Sequence, residues 1–189
     1  MDKYKVIALF GKSGAGKDTI QKWIVSNIPE VNGIISCTTR PKRDYEKEGK
    51  DYYFLTNEEF AEKVLDGSML EATEFREWFY GTPLSSLKKD IINVGVFNPT
   101  GVSCLLNDNR LEVLPIQIMT SDKIRLMRIL NREDDPDCAE MCRRFFTDIN
   151  DFNNIDFDYY VFNNDDDTTF TEFKKIINEF GQGRLTNKK

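Results

Sequence analysis

The stretch FGKSGAGKDT, residues 10–19, constrains this chain most, because it places three glycines and two lysines between an apolar run and an amphipathic run. The preceding YKVIALF is rich in strand formers, and Ile20, Trp23 and Ile24 then recur at helical spacing. Glycines at such a junction let successive backbone N–H groups converge on a phosphate, while the helix N-terminus and Lys17 add positive charge. The sequence therefore predicts a strand, a phosphate-binding loop and a helix.

One letter of this loop departs from the pattern G-x-x-x-x-G-K-S/T, since Asp18 stands where a hydroxyl usually ligates Mg²⁺. A carboxylate is also a hard oxygen ligand, so Asp18 is a candidate metal ligand together with the nearby Thr19. The alternative is an acidic residue that only stabilises the first helical turn. We favour the metal ligand, because a carboxylate beside a triphosphate requires a cation between them. The predicted nucleotide ligands in the loop are Gly11, Ser13, Gly14, Ala15, Gly16, Lys17, Asp18 and Thr19.

Composition narrows the chemistry. The chain of 189 residues has no histidine, which excludes every mechanism that uses an imidazole base, and its four cysteines form no C-x-x-C pair typical of zinc sites. The net charge is −6 without a long basic block, so a nucleic acid polymer is not an expected partner. No apolar run approaches the roughly 20 residues of a membrane helix, and we expect no membrane association and a cytoplasmic location.

Strands alternate with helices along the chain. Strands are predicted at residues 4–10, 33–38, 91–97, 113–119 and 159–162, and helices at 17–27, 121–132, 138–151 and 169–180, the last opened by a capping box of Thr169 and Glu172. This alternation is typical of an α/β fold with a parallel sheet covered on both faces. Residues 36–82 instead suggest a small, mostly antiparallel insertion with a helix capped by Thr56 and Glu59.

The segment SCTTRPKRDYEKEGKDYYF, residues 36–54, concentrates positive charge in an acidic protein. The guanidinium groups of Arg40 and Arg43, with the hydroxyls of Ser36 and Tyr52, suit bidentate capture of a phosphate. A solvated charge run is the alternative. The position after a strand, opposite the glycine loop, favours a second phosphate site.

At this point the chain resembles the guanylate kinase family of P-loop nucleoside monophosphate kinases. The matching motifs are GKSGAGKD, S-x-T-T-R-P-x-R-x-x-E-x-x-G-x-x-Y-x-F, YGT at residues 80–82, R-x-x-x-R at residues 128–132, the pair Arg143 and Arg144, and D-Y-x-V-x-N at residues 158–163. The resemblance implies one kinase domain over residues 1–189, with a P-loop NTPase core built on a five-stranded parallel sheet. It also implies a small α+β nucleoside monophosphate (NMP)-binding insertion at 36–82 and a mobile lid at about 132–144.

The resemblance further implies a role for each matching residue, with ATP, a nucleoside monophosphate and Mg²⁺ as ligands. The acceptor site would comprise Ser36, Arg40, Arg43, Glu46, Tyr52, Tyr80, Asn98 and, facing guanine, Glu71 and Thr82. Asn163 would lie on the ATP side. The catalytic cations would be Lys17, Arg40, Arg128, Arg132 and Arg144, which suits phosphoryl transfer because that reaction depends on positioning and fixed positive charge.

Two departures from the family pattern concern the metal and the base. The motif D-x-D-x-Q-G is replaced by VFNPTG, so Val96 and Asn98 stand at its carboxylate positions, unless a second register through Asp90 applies. We hypothesise that Asp18 replaces the metal-side carboxylate missing at Val96. Asn98 suggests relaxed base selectivity. The predicted activity is phosphorylation of GMP or dGMP; the alternatives are a broader kinase for (deoxy)nucleoside monophosphates or other small phosphates, and a non-catalytic binding module.

Overall fold

Two sheets and six α-helices organise the part of the chain that the computed structural model describes, residues 3–44, 46–75, 77–131, 137–153, 157–164 and 168–186. In chain order the elements are β1 (Tyr4–Phe10), α1 (Lys17–Asn27), β2 (Val31–Gly33), β3 (Cys37–Thr38), β4 (Tyr53–Phe54), α2 (Asn57–Leu65), β5 (Met69–Phe75), β6 (Trp78–Pro83), a 3-10 turn (Leu84–Ser86), β7 (Ile92–Val96), α3 (Pro99–Leu106), β8 (Leu111–Met119), α4 (Asp122–Leu130), α5 (Cys138–Asp151), β9 (Tyr160–Phe162) and α6 (Thr168–Gly181).

The larger sheet has five strands in the order β2-β7-β1-β8-β9, and every neighbouring pair is parallel. In the central strand, Leu9 lies opposite Val96 on one side and Ile116 on the other. The predicted five-stranded parallel sheet is therefore confirmed. Because all carboxyl ends point the same way, the loops after β1, β7, β8 and β9 meet at one edge of the sheet.

Helices cover both faces of this sheet, because successive residues of β1 point to opposite sides. Ile7 and Leu9 pack with Ile20 of α1 and Phe173 of α6. On the other face, β1 contributes Val6, Ala8 and Phe10, which pack with Val102 and Leu105 of α3. Along the described ranges, no helix combines the length and the apolar character needed to cross a membrane.

The smaller sheet has the order β4-β3-β6-β5 and lies within the predicted insertion. Two of its three pairs are antiparallel, and the capping box of α2 is present as predicted. Glu59 N donates to Thr56 Oγ1 at 3.1 Å, while Thr56 N donates to Glu59 Oε2 at 2.8 Å. The cap satisfies helix N–H groups locally, which is why the sequence reveals it.

Three predicted features of secondary structure were wrong. The strand at 33–38 is two strands in different sheets, β2 and β3, because a local strand pattern does not specify the partner strand. Helix α3 was missed because Asn98, Pro99 and Gly101 read as a turn, whereas Asn98 caps the helix by accepting Gly101 N–H at 2.7 Å. Thr169 does not cap α6; it lies inside that helix and donates to the carbonyl of Phe162 at 2.9 Å.

Candidate active site

The glycine loop between β1 and α1 has the backbone geometry of an anion site. Gly14 and Gly16 have φ of +78° and +92°, a region that L side chains rarely adopt. Gly16 precedes the first residue of α1 and has no side chain to cap it. The amides of the first turn therefore remain directed out of the helix, where a phosphate can accept from them.

Lys17 folds back over this loop. Its Nζ donates to the carbonyl of Gly11 at 2.7 Å and to that of Lys12 at 3.2 Å, which holds the ammonium group at the rim of the loop. Asp18 and Thr19 follow on the exposed side of the first turn of α1. Burial, and then the charge of Asp18, raise the pKa of Tyr52 to about 12, so the Asp18 carboxylate is within electrostatic range of the insertion.

Arg128 and Asn163 brace the carbonyl side of the loop. Arg128 Nη1 donates to Gly14 O at 3.3 Å and to Ala15 O at 3.2 Å, while its Nη2 donates to Asn163 O at 3.1 Å. Asn163 Nδ2 donates to Ala15 O at 2.8 Å, and Thr120 Oγ1 lies 3.2 Å from the same oxygen. These contacts fix the underside of the loop, so both residues act on the backbone of the loop.

Ser13 is held by two residues that the sequence analysis did not select. Its N–H donates to both oxygens of Asp148, at 3.1 and 3.0 Å, and its carbonyl accepts from Arg125 Nε at 2.7 Å. Arg125 and Asp148 also form a buried ion pair. Arg125 and Asp148 lie outside the motifs that the chain shares with the family, so motif matching does not find them. The sequence signal that could have revealed them is a charged residue on the apolar face of each helix.

Within the insertion at residues 36–82, the residues predicted to bind the acceptor phosphate lie around Arg40, and we call this part the acceptor segment. The guanidinium of Arg40 donates to both oxygens of Glu46, at 3.0 and 2.7 Å, and lies 5.7 Å from the ring centroid of Tyr52. Glu46 also accepts the Arg43 N–H at 2.9 Å, and the hydrogen bond from Arg40 holds the pKa of Glu46 below its usual range. The rings of Tyr52 and Tyr80 meet edge to face with centroids 6.2 Å apart. Four of the predicted acceptor residues thus converge on Arg40.

A chain of hydroxyl groups leads to Glu71. Thr82 Oγ1 donates to Glu71 Oε1 at 2.7 Å and lies 3.3 Å from Ser36 Oγ. Burial raises the pKa of Glu71, and the hydrogen bond from Thr82 opposes that effect. The other oxygen of Glu71, Oε2, lies near the N-terminus of α3. A Cβ added at Gly101 would be 3.4 Å from Glu71 Oε2 and 3.2 Å from Asn98 Oδ1, so both side chains approach Gly101 closely. Glu71, Thr82 and Asn98 therefore line one pocket.

Arg144 of α5 is within electrostatic range of both halves of the site. Its Nε donates to Glu140 Oε1 at 2.7 Å. Burial lowers the pKa of Arg144, the positive charges of Arg143 and Arg43 lower it further, and Tyr80 and Asp148 oppose the shift. The guanidinium is thus within electrostatic range of Arg43 and Tyr80 in the acceptor segment and of Asp148 beside the glycine loop. An anion placed among these cations would be strongly stabilised.

Comparison with known proteins identifies this arrangement. A family model described as guanylate kinase matches residues 3–180. The chain belongs to the guanylate kinase family. A guanylate kinase of Malacoplasma penetrans is 36% identical over 133 residues, which are 70% of this chain and 59% of that protein. A guanylate kinase of Wolbachia pipientis wMel is 29% identical over 97% of this chain and 94% of its own length. The crystal structure of a guanylate kinase from Anaplasma phagocytophilum superposes with a TM-score of 0.68 at 25% identity, covering 98% of this chain and 89% of that one.

The fold decides the register of the motif that departs from the guanylate kinase pattern. Val96 ends β7 and pairs with Leu9, just before the glycine loop, and Asn98 follows at the same edge of the sheet. Asp90 precedes β7 and therefore lies at the opposite edge. The register through Val96 and Asn98 places the motif at the same edge of the sheet as the glycine loop, whereas a register through Asp90 would place it at the other edge.

The structure describes the predicted lid and the predicted metal site only in part. Arg132, with most of the predicted lid that precedes α5, falls outside the described residues. In the described part of the chain, no three carboxylates or thiols cluster in a way that would hold a metal ion. Asp18 and Thr19 fit a different kind of site, since Mg²⁺ is usually bound by one or two protein oxygens together with substrate phosphates and water.

Proposed function

We propose that the protein is an ATP-dependent guanylate kinase that transfers the γ-phosphoryl group of ATP to the phosphate of GMP or dGMP, releasing ADP and GDP or dGDP. The observation that carries this proposal is the position of Arg144, within electrostatic range of Arg43 and Tyr80 on one side and of the Asp148 carboxylate beside the glycine loop on the other. A phosphoryl group in transit between two phosphate sites needs a cation at that point.

The side chains divide the work of the transfer. The amides of the glycine loop and Lys17 hold the phosphates of ATP, and Arg40, Arg43, Tyr52 and Tyr80 hold the acceptor phosphate. Glu46 fixes the plane of the Arg40 guanidinium through two hydrogen bonds. The acceptor is thereby held in line with the γ-phosphate, and no protein nucleophile is required.

Asp18 and Thr19 are the proposed residues for Mg²⁺, either as ligands or through metal-bound water. When bound, Mg²⁺ neutralises the charge of the ATP phosphates. The Asp18 carboxylate is exposed on the first turn of α1, directly after Lys17, and is within electrostatic range of Tyr52, which supports this assignment. A Mg²⁺ ion held there would separate the Asp18 carboxylate from the negatively charged triphosphate and so reduce their repulsion.

Base recognition is proposed for the pocket of Glu71, Thr82 and Asn98. A partly buried carboxylate that can accept from two N–H donors favours guanine, because bases that lack these donors would form fewer hydrogen bonds with Glu71. Asn98 supports a second candidate, a kinase with a broader range of acceptor bases. Its oxygen is occupied by Gly101 N–H, and its amide nitrogen donates to Thr73 Oγ1 at 3.3 Å, so the side chain offers the pocket a donor.

A coupled assay of ADP release tests these assignments with GMP, dGMP, IMP, AMP, CMP and UMP as acceptors. The proposal expects rapid turnover with GMP or dGMP and little with the pyrimidine nucleotides. Comparable turnover with several bases would favour the broader kinase. If the protein binds GMP but releases no ADP from ATP with any of these acceptors, a non-catalytic binding module is favoured and the proposal is refuted.

A further inference from the structure

A buried carboxylate joins helix α5 to the glycine loop. Asp148 lies in the last turn of α5, and the residue is only 7% exposed. Both of its oxygens accept the N–H of Ser13, and Ser13 Oγ lies 3.3 Å from Oδ1. A carboxylate of a helix outside the loop thus binds the backbone of the loop itself.

Arg125 completes a ring of contacts with the same residue of the loop. It is 1% exposed and donates from Nη2 to Asp148 and from Nε to the carbonyl of Ser13. The third nitrogen, Nη1, lies 2.5 Å from Asp122, and the guanidinium stacks 4.3 Å above the ring of Phe145. Both backbone polar groups of Ser13 are therefore held by side chains, one from α4 and one from α5.

The ring has a consequence for Arg144, which precedes Asp148 by four residues and so lies one helical turn away on the same side of α5. Because Asp148 is fixed to the loop, the position of α5 relative to the loop determines where the Arg144 guanidinium lies. Lys17 is also within electrostatic range of Asp148. The contact between Asp148 and Ser13 thus couples the glycine loop to Arg144, which is within electrostatic range of the acceptor segment.

We propose that Asp148 and Arg125 are positioning residues for phosphoryl transfer: they fix Ser13 of the glycine loop and seat α5 so that Arg144 faces the transferred group. This inference rests on the proposed kinase function. Neither side chain needs to touch a substrate. A purely structural ion pair is the competing explanation, because removal of either partner would leave an unpaired buried charge and destabilise the fold.

The first test is Asp148→Asn in the ADP-release assay with GMP. The amide keeps one acceptor oxygen but turns a donor toward Ser13 N–H or Arg125, which opens the ring. We expect kcat to fall about 10- to 100-fold, as expected for a displacement near 1 Å, with little change in the KM for GMP. The matched control is Asp122→Asn, which alters the 72% exposed carboxylate on the same guanidinium and should leave kcat unchanged.

A second variant separates positioning from stability. Arg125→Met combined with Asp148→Leu replaces the buried pair by apolar groups of similar size, an exchange that is often neutral or stabilising. A purely structural pair predicts that the melting temperature and kcat both return to wild-type values. Positioning predicts a recovered melting temperature with a kcat that stays low, because Ser13 has lost both partners.

Arg125→Lys covers the case in which Asp148→Asn does not fold. Lysine keeps the positive charge beside Asp148 but cannot reach Ser13 O and two carboxylates at once, so kcat should fall while the protein stays folded. Wild-type kcat in a folded Asp148→Asn, Arg125→Lys or double variant would overturn this inference alone. Absence of ADP release from the wild-type protein would overturn the proposed function and this inference with it.

Discussion

Glu71→Gln should move activity and stability in opposite directions. The Glu71 carboxylate accepts from Thr82 at 2.7 Å and lies in a pocket whose burial raises its pKa. Glutamine has nearly the same shape and can keep the Thr82 hydrogen bond. The exchange therefore removes the partly buried charge and one acceptor without creating a cavity.

The expected loss of activity follows from the hydrogen bonds to guanine. A carboxylate accepts from both N–H groups of the Watson–Crick edge, whereas glutamine accepts from one and presents its own donor to the other. A lost hydrogen bond to a charged group is worth about 1.5–3 kcal/mol, so kcat/KM for GMP should fall roughly 10- to 150-fold. The assay is ADP release, and Glu74→Gln, an exposed residue of the same strand, is the control.

The expected gain in stability depends on pH. Because the pKa of Glu71 is higher in the folded protein than in the unfolded chain, its stabilising contribution is present below the unfolded pKa and is lost as the pH rises through the folded pKa. Glu71→Gln should therefore unfold at a higher urea concentration than wild type at pH 8, with a smaller difference at pH 4. Unchanged kcat/KM for GMP, or lower stability at pH 8, would refute the reasoning.

Three further predictions concern the two ends of the site. Gly16→Ala places a Cβ 2.4 Å from Asn163 Nδ2 at a φ of +92°, so the free energy of unfolding should fall by about 1–2 kcal/mol in urea titrations and ATP binding should weaken; wild-type stability would contradict it. Asp18→Ser should raise the Mg²⁺ concentration needed for half-maximal turnover, and an unchanged metal dependence would exclude Asp18 from the metal site. Asn98→Asp keeps a good cap for α3 but adds an acceptor, so the ratio of kcat/KM for GMP to that for IMP should rise about tenfold at similar melting temperature; an unchanged ratio would show that Asn98 does not contact the base.

Local patterns account for most of the secondary structure that was predicted correctly. Helices α1 and α5 begin and end where their apolar spacing indicates, at Lys17–Asn27 and Cys138–Asp151. Strand β1 is likewise correct, because an apolar run followed by glycine has few alternatives. Helix α3 escaped prediction since its first residues carry turn signals, and the decisive hydrogen bond from Gly101 to Asn98 appears only when the helix has formed.

The positions of two predicted catalytic arginines, Arg128 and Arg144, show a second limit. The sequence places Arg128 and Arg144 in one group through resemblance. In the structure Arg128 lies under the glycine loop and donates to its carbonyls, whereas Arg144 donates to Glu140 and is within electrostatic range of Arg43 and Tyr80. A motif gives the position of a residue along the chain, but the side chain's direction depends on how the helix packs.

By itself the sequence determined the strand, the glycine loop with Lys17, the family and the α/β class, because each depends on residues close together in the chain or on a long motif. Only the tertiary structure decided which groups act together. Asp148 lies 135 residues from Ser13 and 23 from Arg125, and no local pattern records a contact across such separations. The parallel sheet creates it by bringing the ends of its strands, and the helices that follow them, to one edge.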